Sequence, residues 1–451
     1  MLKVTKFGGS SCADAAQIKK VCEIVLSDPT RKFVVVSAPG KRYSDDIKVT
    51  DLLIRLAKAG LANEDTAPHL QAVVHRYGII AKDLLVESVM TSIEKNLQSL
   101  VDGDKSHPEA YTDALKAAGE DNCARLVAAY LQSINHEASY MNPGEAGLLL
   151  SQDFGKARVL PESYTNLTKL TKIQGLIVFP GFFGYSKKGD VVTFSRGGSD
   201  ITGSILAAAT GADVYENWTD VDSVFAVNPS LVKNPFPVTE ITYDEMRELS
   251  YAGFSVLHED ALYPAFLRGI PVNIRNTNNP SAKGTMIVTK RQKYNSLLTG
   301  IAGKSGFCSI NIKKYLMNQE VGFLCKALQI IADEGIAIDH IPSGIDSISV
   351  ILRSDDFTAQ KERRIIERMS LELKVDLIEV RRDLAIVVIV GEAMAKTVGT
   401  TARAVTTLSK AGINLEIINQ GASEISVMFG IREEYVDYAV RALYKEFFDS
   451  I

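Results

Sequence analysis

The sequence predicts an α/β protein: a mainly parallel sheet sandwiched by helices, followed by two ferredoxin-like βαββαβ repeats. Three observations carry this. Over the first 290 residues, short apolar runs alternate with longer segments of helical periodicity, as strands joined by crossover helices do. Two glycine pairs, Gly8-Gly9 and Gly197-Gly198, each separate such a run from a helical segment. The last third repeats itself, with Gly322, Gly335, Gly344 and Ser349 recurring as Gly399, Gly412, Gly421 and Ser426 at an offset of 77. A constant offset over a whole unit marks two copies of one fold.

The elements follow in order. Residues 2–6 read as a strand, then a glycine loop, then a helix from about Ala13 to Leu26. Residues 33–37 are a continuous apolar run of the kind buried in parallel sheets. A polar, turn-rich loop spans Ala38 to Lys48, and a largely helical stretch runs from Thr50 to about Leu100, with Asp51 and Asp65 near helix starts. A helical insertion is thus expected at about 55–118. A further helix runs through Gly119 to Gln132, with Glu120 near its start. Residues 175–179, 190–193, 213–216 and 271–275 read as further strands, and Ile201 to Thr210 as a helix closed by Gly211. The expected domains are 1–290, 300–375 and 380–451. Each repeat reads strand, helix, strand, strand, helix, strand, with Gly335 and Gly412 as helix C-caps. Apolar positions keep the offset (Ile338 with Leu415, Ile341 with Ile418), and Asp339 matches Glu416.

A length of 451 residues fits roughly two to four domains. The 46% hydrophobic and 23% charged content is that of an ordinary globular chain. A net charge of −4 argues against wholesale nucleic-acid binding. Five cysteines without a CxxC pair argue for a reducing compartment and against disulfides or structural zinc. The first residues lack a signal-peptide run, and no apolar run is long enough for a membrane span. A cytoplasmic protein is expected.

Four motifs carry chemistry. Lys6-Phe7-Gly8-Gly9-Ser10-Ser11 closes a strand before a helix, where α/β sheets bind ligands. Its glycines permit close backbone approach to phosphate oxygens, and Lys6 suits a transferring phosphoryl group. It is neither a Walker A loop nor GxGxxG. Ser195-Arg196-Gly197-Gly198-Ser199-Asp200 opens a helix whose N-terminus favours anions. Arg196 adds a fork for carboxylate or phosphate, while Ser199 or Asp200 also reads as a plain N-cap. Asn217-Trp218-Thr219-Asp220-Val221-Asp222 follows a strand and suits either a nucleotide or an Asx turn. Gly119-Glu120 opens a helix, where a glutamate is usually good dipole chemistry, although an amino-acid substrate needs an anion to meet its ammonium. His258 has no metal-ligand partner at regular spacing, and Lys361-Glu362-Arg363-Arg364 reads as a solvated helix face.

In this order and spacing the motifs KFGGSS at 6–11, FSRGGSD at 194–200 and WTDVD at 218–222 resemble the aspartate kinases, which have the amino acid kinase fold. The repeats resemble that family's paired ACT regulatory domains. The resemblance covers essentially the whole chain. It implies phosphorylation of the β-carboxylate of L-aspartate by ATP with Mg²⁺, opening lysine, threonine and methionine biosynthesis. Lys6 and Asp200 would be catalytic. Thr50, Glu120, Phe182, Arg196 and Ser199 would bind aspartate. Lys6, Gly8, Gly9, Ser10, Thr219, Asp220 and Phe225 would hold ATP. Met317, Asn318, Gly322, Phe323, Leu324, Ile338 and Asp339 would bind an inhibitory end product, lysine first and threonine next. No metal would be held by the protein alone. The ACT domains would build a homo-oligomer, a dimer or a tetramer.

The chain departs from the family pattern at a few positions. Asn228-Pro229-Ser230 stands where DPR is common, Ser255 where a lysine is common, Glu259 for the proline of VLHP, and Cys123 for a serine. Lys233 lies near enough in sequence to replace a nucleotide contact. The chain stops at Ile451, soon after the second repeat, so a fused homoserine dehydrogenase is not expected. A free aspartate side chain, with a pKa of about 4, is ionised at neutral pH and needs no general base. The alternatives are a kinase for glutamate or N-acetylglutamate, and an idle amino-acid sensor. An N-acetyl substrate has no ammonium for Glu120, and a sensor has no need of Lys6, Arg196 and Asp200.

Overall fold

A computed structural model describes residues 1–451 apart from Arg196, 255–258, Asn295, Ser450 and Ile451, and leaves the side chains of Glu259 and Asp260 aside. The chain divides into two compact units. The first comprises residues 1–224, 238–246 and 255–291, and the second 225–237, 247–254 and 292–451. Two short segments inside the expected catalytic region therefore belong to the other unit.

The chain begins β1 (Lys3–Phe7), α1 (Ala15–Leu26), β2 (Arg31–Val36), then helices α2 (Val49–Leu61), α3 (Ala67–Asp83), α4 (Met90–Val101) and α5 (Pro108–Ser133). It continues with β3 (Ala138–Tyr140), α6 (Pro143–Ala146), α7 (Glu162–Leu167), β4 (Leu176–Pro180), β5 (Phe183–Tyr185), β6 (Val191–Thr193) and α8 (Gly198–Thr210). Next come β7 (Val214–Thr219), β8 (Val224–Phe225), β9 (Pro237–Val238), β10 (Glu240–Thr242), α9 (Tyr243–Tyr251), α10 (Tyr263–Leu267), β11 (Val272–Asn276) and β12 (Thr285–Val288).

Eight strands form one sheet in the order β10-β12-β11-β7-β1-β2-β4-β3. Every neighbouring pair is parallel except β11 with β12. The reason lies in the sequence of β2, whose Phe33, Val34, Val35 and Val36 are all buried. A strand apolar on both faces needs helices on both faces. β1 sits between β7 and β2, and Phe7 stacks on Trp218 with ring centroids 5.9 Å apart. The ligand-binding edge expected at the strand C-termini is therefore formed by β1, β2, β4 and β7.

The opposite ends of these strands are tied by charge. Glu216 of β7 accepts from Arg31 of β2 at 2.7 and 3.3 Å and from the Trp218 indole at 3.0 Å. Lys3 adds an ion pair at 3.2 Å. Burial alone would raise the Glu216 carboxyl, but the hydrogen bonds and charge of Arg31, with Lys3, hold it below the ordinary glutamate value.

Helix α5 corrects one expectation. It starts at Pro108, with Glu109 in its first turn, so Glu120 lies in mid-helix rather than near the start. Pro suits the first turn, where its missing N–H costs nothing. Gly119 is not a boundary but a point of close approach: a Cβ there would lie 2.8 Å from the Ala38 Cβ.

The second unit runs β13 (Gly300–Lys313), α11 (Phe323–Asp333), β14 (Ser347–Arg353), α12 (Ala359–Leu373), β15 (Leu377–Val390), α13 (Thr400–Lys410), β16 (Ile417–Gln420), β17 (Ser426–Arg432) and α14 (Val436–Phe448). Its strands form one antiparallel sheet, β14-β13-β15-β17-β16. Alternate residues Cys308, Ile310, Ile312, Ile348, Val350 and Leu352 face a core shared with α11 and α12. Gly335 and Gly412 follow α11 and α13 at φ +65° and +72°, a left-handed conformation that terminates a helix and favours glycine.

The expected order of elements holds only in part. Among the described residues no strand follows α14. The second repeat instead takes its remaining strand from Gly300–Lys304, which pairs with Ile386–Val390. The other half of β13, Phe307–Lys313, pairs with Leu377–Leu384 inside the first repeat. The expected second strand of the first repeat is reduced to bridges at His340 and Ser343. Pro342, which lacks an N–H, lies between them. No helix among the described residues is long and apolar enough to cross a membrane.

Removing one partner of a buried ion pair leaves an uncompensated charge, at a cost of about 3–5 kcal/mol. Arg31→Ala is expected to destabilise by about 3 kcal/mol, since Lys3 remains 3.2 Å from Glu216. Denaturant unfolding measures it. Because the folded Glu216 carboxyl is depressed, its contribution is complete above the ordinary glutamate range and is lost as pH falls below it. The stability difference between the two chains should therefore shrink in acid.

Candidate active site

The site is assembled from loops at the C-terminal edge of the sheet. After β1 the backbone turns through Gly8 and Gly9, with the Gly8 amide bonded to the Trp218 carbonyl at 3.1 Å. A Cβ on Gly9 would stand 3.0 Å from the Ala38 carbonyl oxygen, and one on Gly40 would meet the Gly9 carbonyl carbon at 2.6 Å. Two loops therefore touch backbone to backbone, and the Gly40 amide donates to the Gly9 carbonyl at 2.8 Å. Buried Arg76 of α3 holds this arrangement from below, donating to the carbonyls of Gly40 (2.7 Å) and Ala13 (3.0 Å) and pairing with Asp46 at 2.8 Å. Ser10 lies in the short 3₁₀ turn that follows, Gly9–Cys12.

Lys6 and Asp200, 194 positions apart, meet at this edge: Lys6 Nζ lies 2.6 Å from Asp200 Oδ1. Asn217, opposite Lys6 in the β1/β7 register, donates to the same oxygen at 2.7 Å. The Tyr215 hydroxyl donates to the Asp200 carbonyl at 3.1 Å. Gly197, at φ +74°, is the N-cap of α8, so neither Ser199 nor Asp200 caps the helix and both project from its first turn. The side chains of Lys6 and Asp200 keep 9% and 15% of their exposure, so the pair is largely dry yet open to a ligand on one side.

Ser199, expected to bind the amino acid, adjoins Asp200 in the first turn of α8. A Cβ on Gly181 would lie 2.6 Å from Ser199 Oγ, and one on Gly198 would lie 2.6 Å from the Phe182 ring. Phe182 takes φ +75°, a strained value for a side-chain-bearing residue, and is held there by two bonds. Its amide donates to Thr202 Oγ1 at 3.1 Å, and its carbonyl accepts from Phe194 at 2.9 Å. Glu120 is 6% exposed, and its Oε2 is buried without a hydrogen-bond partner. Burial pushes its carboxyl up to about 8, against the Ala38 amide and the charges of Lys116 and Lys6. A buried oxygen without a partner leaves a polar demand unmet in the protein alone.

Of the remaining expected residues, Thr50 lies in the first turn of α2, whose leading amide bonds Pro39 of the same loop. Thr219 ends β7 and Asp220 follows it, with the Thr219 hydroxyl 3.1 Å from Asp220 Oδ1. Phe225 belongs to the second unit. Arg196 and Ser255 lie outside the described residues. Among the described residues no three His, Cys, Asp or Glu side chains converge to hold a metal. Arg76 and Lys116 carry no motif in the sequence, and Asn217, which opens the motif at 217–222, lies within β7 and not after it. Lys116 precedes Glu120 by about one helical turn within α5.

In the second unit, Met317 and Asn318 form a 3₁₀ turn, Gly322 caps α11 at φ +81°, and Phe323 and Leu324 open that helix. Ile338 packs against the core of the first repeat. Asp339 is not a solvated strand end: the Tyr251 hydroxyl donates to its Oδ1, while its Oδ2 is buried without a partner. Its counterpart Glu416 is already paired with Arg381 at 2.8 Å and with Arg432 at 3.8 Å.

Comparison with known proteins agrees with this architecture. Residues 1–276 match the model of the amino acid kinase family, and residues 387–447 an ACT domain. Aspartokinase 3 of Bacillus subtilis is 56% identical over 451 residues, covering 100% of this chain and 99% of the relative. This chain is a member of the amino acid kinase family, among its aspartate kinases. The aspartate kinase of Clostridium acetobutylicum superposes with a TM-score of 0.86 at 38% identity, covering 99% and 100% of the two chains. Aspartokinase III of E. coli, solved with aspartate and ADP, gives 0.79 at 26% identity over 99% of each chain. The same enzyme, solved with lysine and aspartate, gives 0.75 at 26% identity, again over 99% of each.

Gly40→Ala places a methyl group against backbone that has no side chain to move aside. Overpacking of this kind costs about 1–3 kcal/mol. The expected outcome is a raised KM for ATP with a modest loss of thermal stability, read by steady-state kinetics and thermal unfolding.

Proposed function

We propose that this aspartate kinase uses residues 1–290 to transfer the γ-phosphoryl group of ATP to the β-carboxylate of L-aspartate, and residues 300–375 and 380–451 to regulate the transfer. The carrying observation is the Lys6–Asp200 pair, 2.6 Å long, which brings the two glycine motifs to one edge of the sheet. Its lysine also acts electrostatically on Glu120.

Each group then has a task. Glu120 takes the α-ammonium of aspartate on its unsatisfied oxygen, and Arg196, Ser199 and Thr50 hold the α-carboxylate end, with Phe182 walling the subsite. The backbone of Gly8, Gly9 and Ser10 cradles phosphate oxygens, and Thr219 and Asp220 face the nucleotide. The acceptor carboxylate is already ionised, so positioning and charge neutralisation supply the rate. Lys6 leaves Asp200 for the phosphoryl oxygens as charge develops on them, and Asn217 keeps Asp200 in place. Mg²⁺ fits a site of this composition because it is commonly held by one or two carboxylates together with substrate phosphates. Asp200 is the carboxylate placed to take part, and the ion would neutralise phosphate charge.

The regulatory reading rests on Asp339. Its free oxygen suits the ammonium of an amino-acid effector, with lysine first and threonine next, and the backbone near Asn318 and Gly322 suits its carboxylate. The paired repeats suit a homo-oligomer. A reducing, cytoplasmic setting agrees with five free cysteines, four of them buried.

Three measurements test this. ATP consumption is expected with aspartate and not with N-acetylglutamate. Turnover with glutamate alone would reassign the substrate. Lys6→Ala should lower kcat about a hundredfold or more with little change in KM for aspartate, and an unchanged kcat would remove Lys6 from catalysis. Asp339→Ala should keep the uninhibited rate and lose inhibition by lysine. Inhibition surviving in that variant would place the effector elsewhere.

A further inference from the structure

We infer that Lys116 is a positioning residue of the amino-acid subsite: its fixed ammonium supplies the charge against which Glu120 presents its free oxygen, and it seats Phe182 beside Ser199. The inference rests on the reading of Glu120 as the partner of the substrate ammonium.

Lys116 is not a mobile surface lysine. Its side chain is 18% exposed, and its Nζ donates to Asp113 Oδ1 at 3.0 Å and to Thr193 Oγ1 of β6 at 3.1 Å. Asp113 is fixed in turn, since its other oxygen accepts from the amides of Gly155 (2.7 Å) and Thr193 (2.8 Å). The same ammonium lies 5.4 Å from the centre of the Phe182 ring. A cation at that distance is attracted to the ring face. Phe182 holds a backbone angle that its own side chain disfavours, and a methyl at Gly198 would strike its ring. Lys116 therefore ties α5 and β6 to the loop that walls the subsite.

Its second role follows from helical spacing. Lys116 precedes Glu120 by four residues, so the two share one face of α5. Asp113 lies seven residues before Glu120, about 10 Å along the axis, too far to cancel the lysine fully. The groups around Glu120 are Lys6 from β1, the Ala38 amide from the loop after β2, Lys116, Asp121 and Cys123 from α5, and Tyr77 from α3. The Tyr77 hydroxyl is occupied by the Gly119 carbonyl. The cations of this set are the two lysines, and Lys6 is engaged with Asp200. Lys116, itself paired with Asp113, is the cation on Glu120's own helix face, and it opposes the effect of burial on that carboxyl.

The test is a pH profile on the full chain, with KM for aspartate and kcat measured from pH 6.5 to 9. Binding needs ionised Glu120, so affinity rises with pH through its titration. Loss of a nearby cation moves that limb to higher pH. Lys116→Met is expected to raise KM about tenfold at pH 7 and about twofold at pH 9, one pKa unit of displacement, with kcat retained. Lys116→Arg should restore the wild-type profile. The double variant Asp113→Asn with Lys116→Met removes the stranded carboxylate and should show a smaller displacement in the same direction even if the single variant folds poorly. Folded variants with the wild-type KM profile, or with a KM rise independent of pH, would overturn the inference. Glu120→Gln run in parallel separates the two claims. If it leaves KM unchanged at every pH, the reading of Glu120 itself fails. If it raises KM while Lys116→Met does not, only the role of Lys116 is lost.

Discussion

The ion pair between Lys6 and Asp200 is the constraint on which the site depends. Each partner lies next to a glycine pair, and each glycine pair exists to bring backbone close to something else. With Asn217 as a second donor, Asp200 is held by two elements of the central sheet, β1 and β7. The pair also resolves an oddity: an aspartate at a helix N-terminus opposes anion binding there unless a cation neutralises it. Lys6 does so in the free protein and is poised to exchange that partner for phosphate oxygens.

Two buried glutamates in the same unit show how one residue type serves opposite ends. Glu216 is surrounded by Arg31, Lys3 and the Trp218 indole, and its carboxyl is held down. Glu120 keeps one oxygen without a partner, and its carboxyl is pushed up to about 8. The first arrangement secures strands at the closed end of the sheet. The second stores an unmet electrostatic demand at the open end, where a ligand can meet it.

Much of this was legible in the sequence because local chemistry and fold agreed. The strand at 33–37 announced itself by being apolar on both faces, and the glycine pairs by sitting between a strand and a helix. The repeat was visible in glycine spacing, since Gly335 and Gly412 are both needed at positive φ. What escaped notice was set by tertiary contact. Gly119 looked like a helix boundary, yet it is a glycine because Ala38 leaves no room for a side chain. Because α5 starts at Pro108, Lys116 falls on the same helix as Glu120. Arg76 carries no motif of its own, and only the packed structure brings it to the loops it holds. The final strand of the second repeat could not be read from its own stretch of chain, because the fold supplies it from residues 300–304.

That borrowed strand has a consequence for the regulatory half. β13 and β15 each cross both copies, one half of each strand serving each copy. The duplication visible in the sequence is therefore not a pair of separable modules. No cut in the chain between the copies leaves both with a complete sheet, and neither copy can twist without moving a strand that the other owns. A ligand that met only the first copy would still act on a single sheet. Two halves that began as repeats have become one mechanical object.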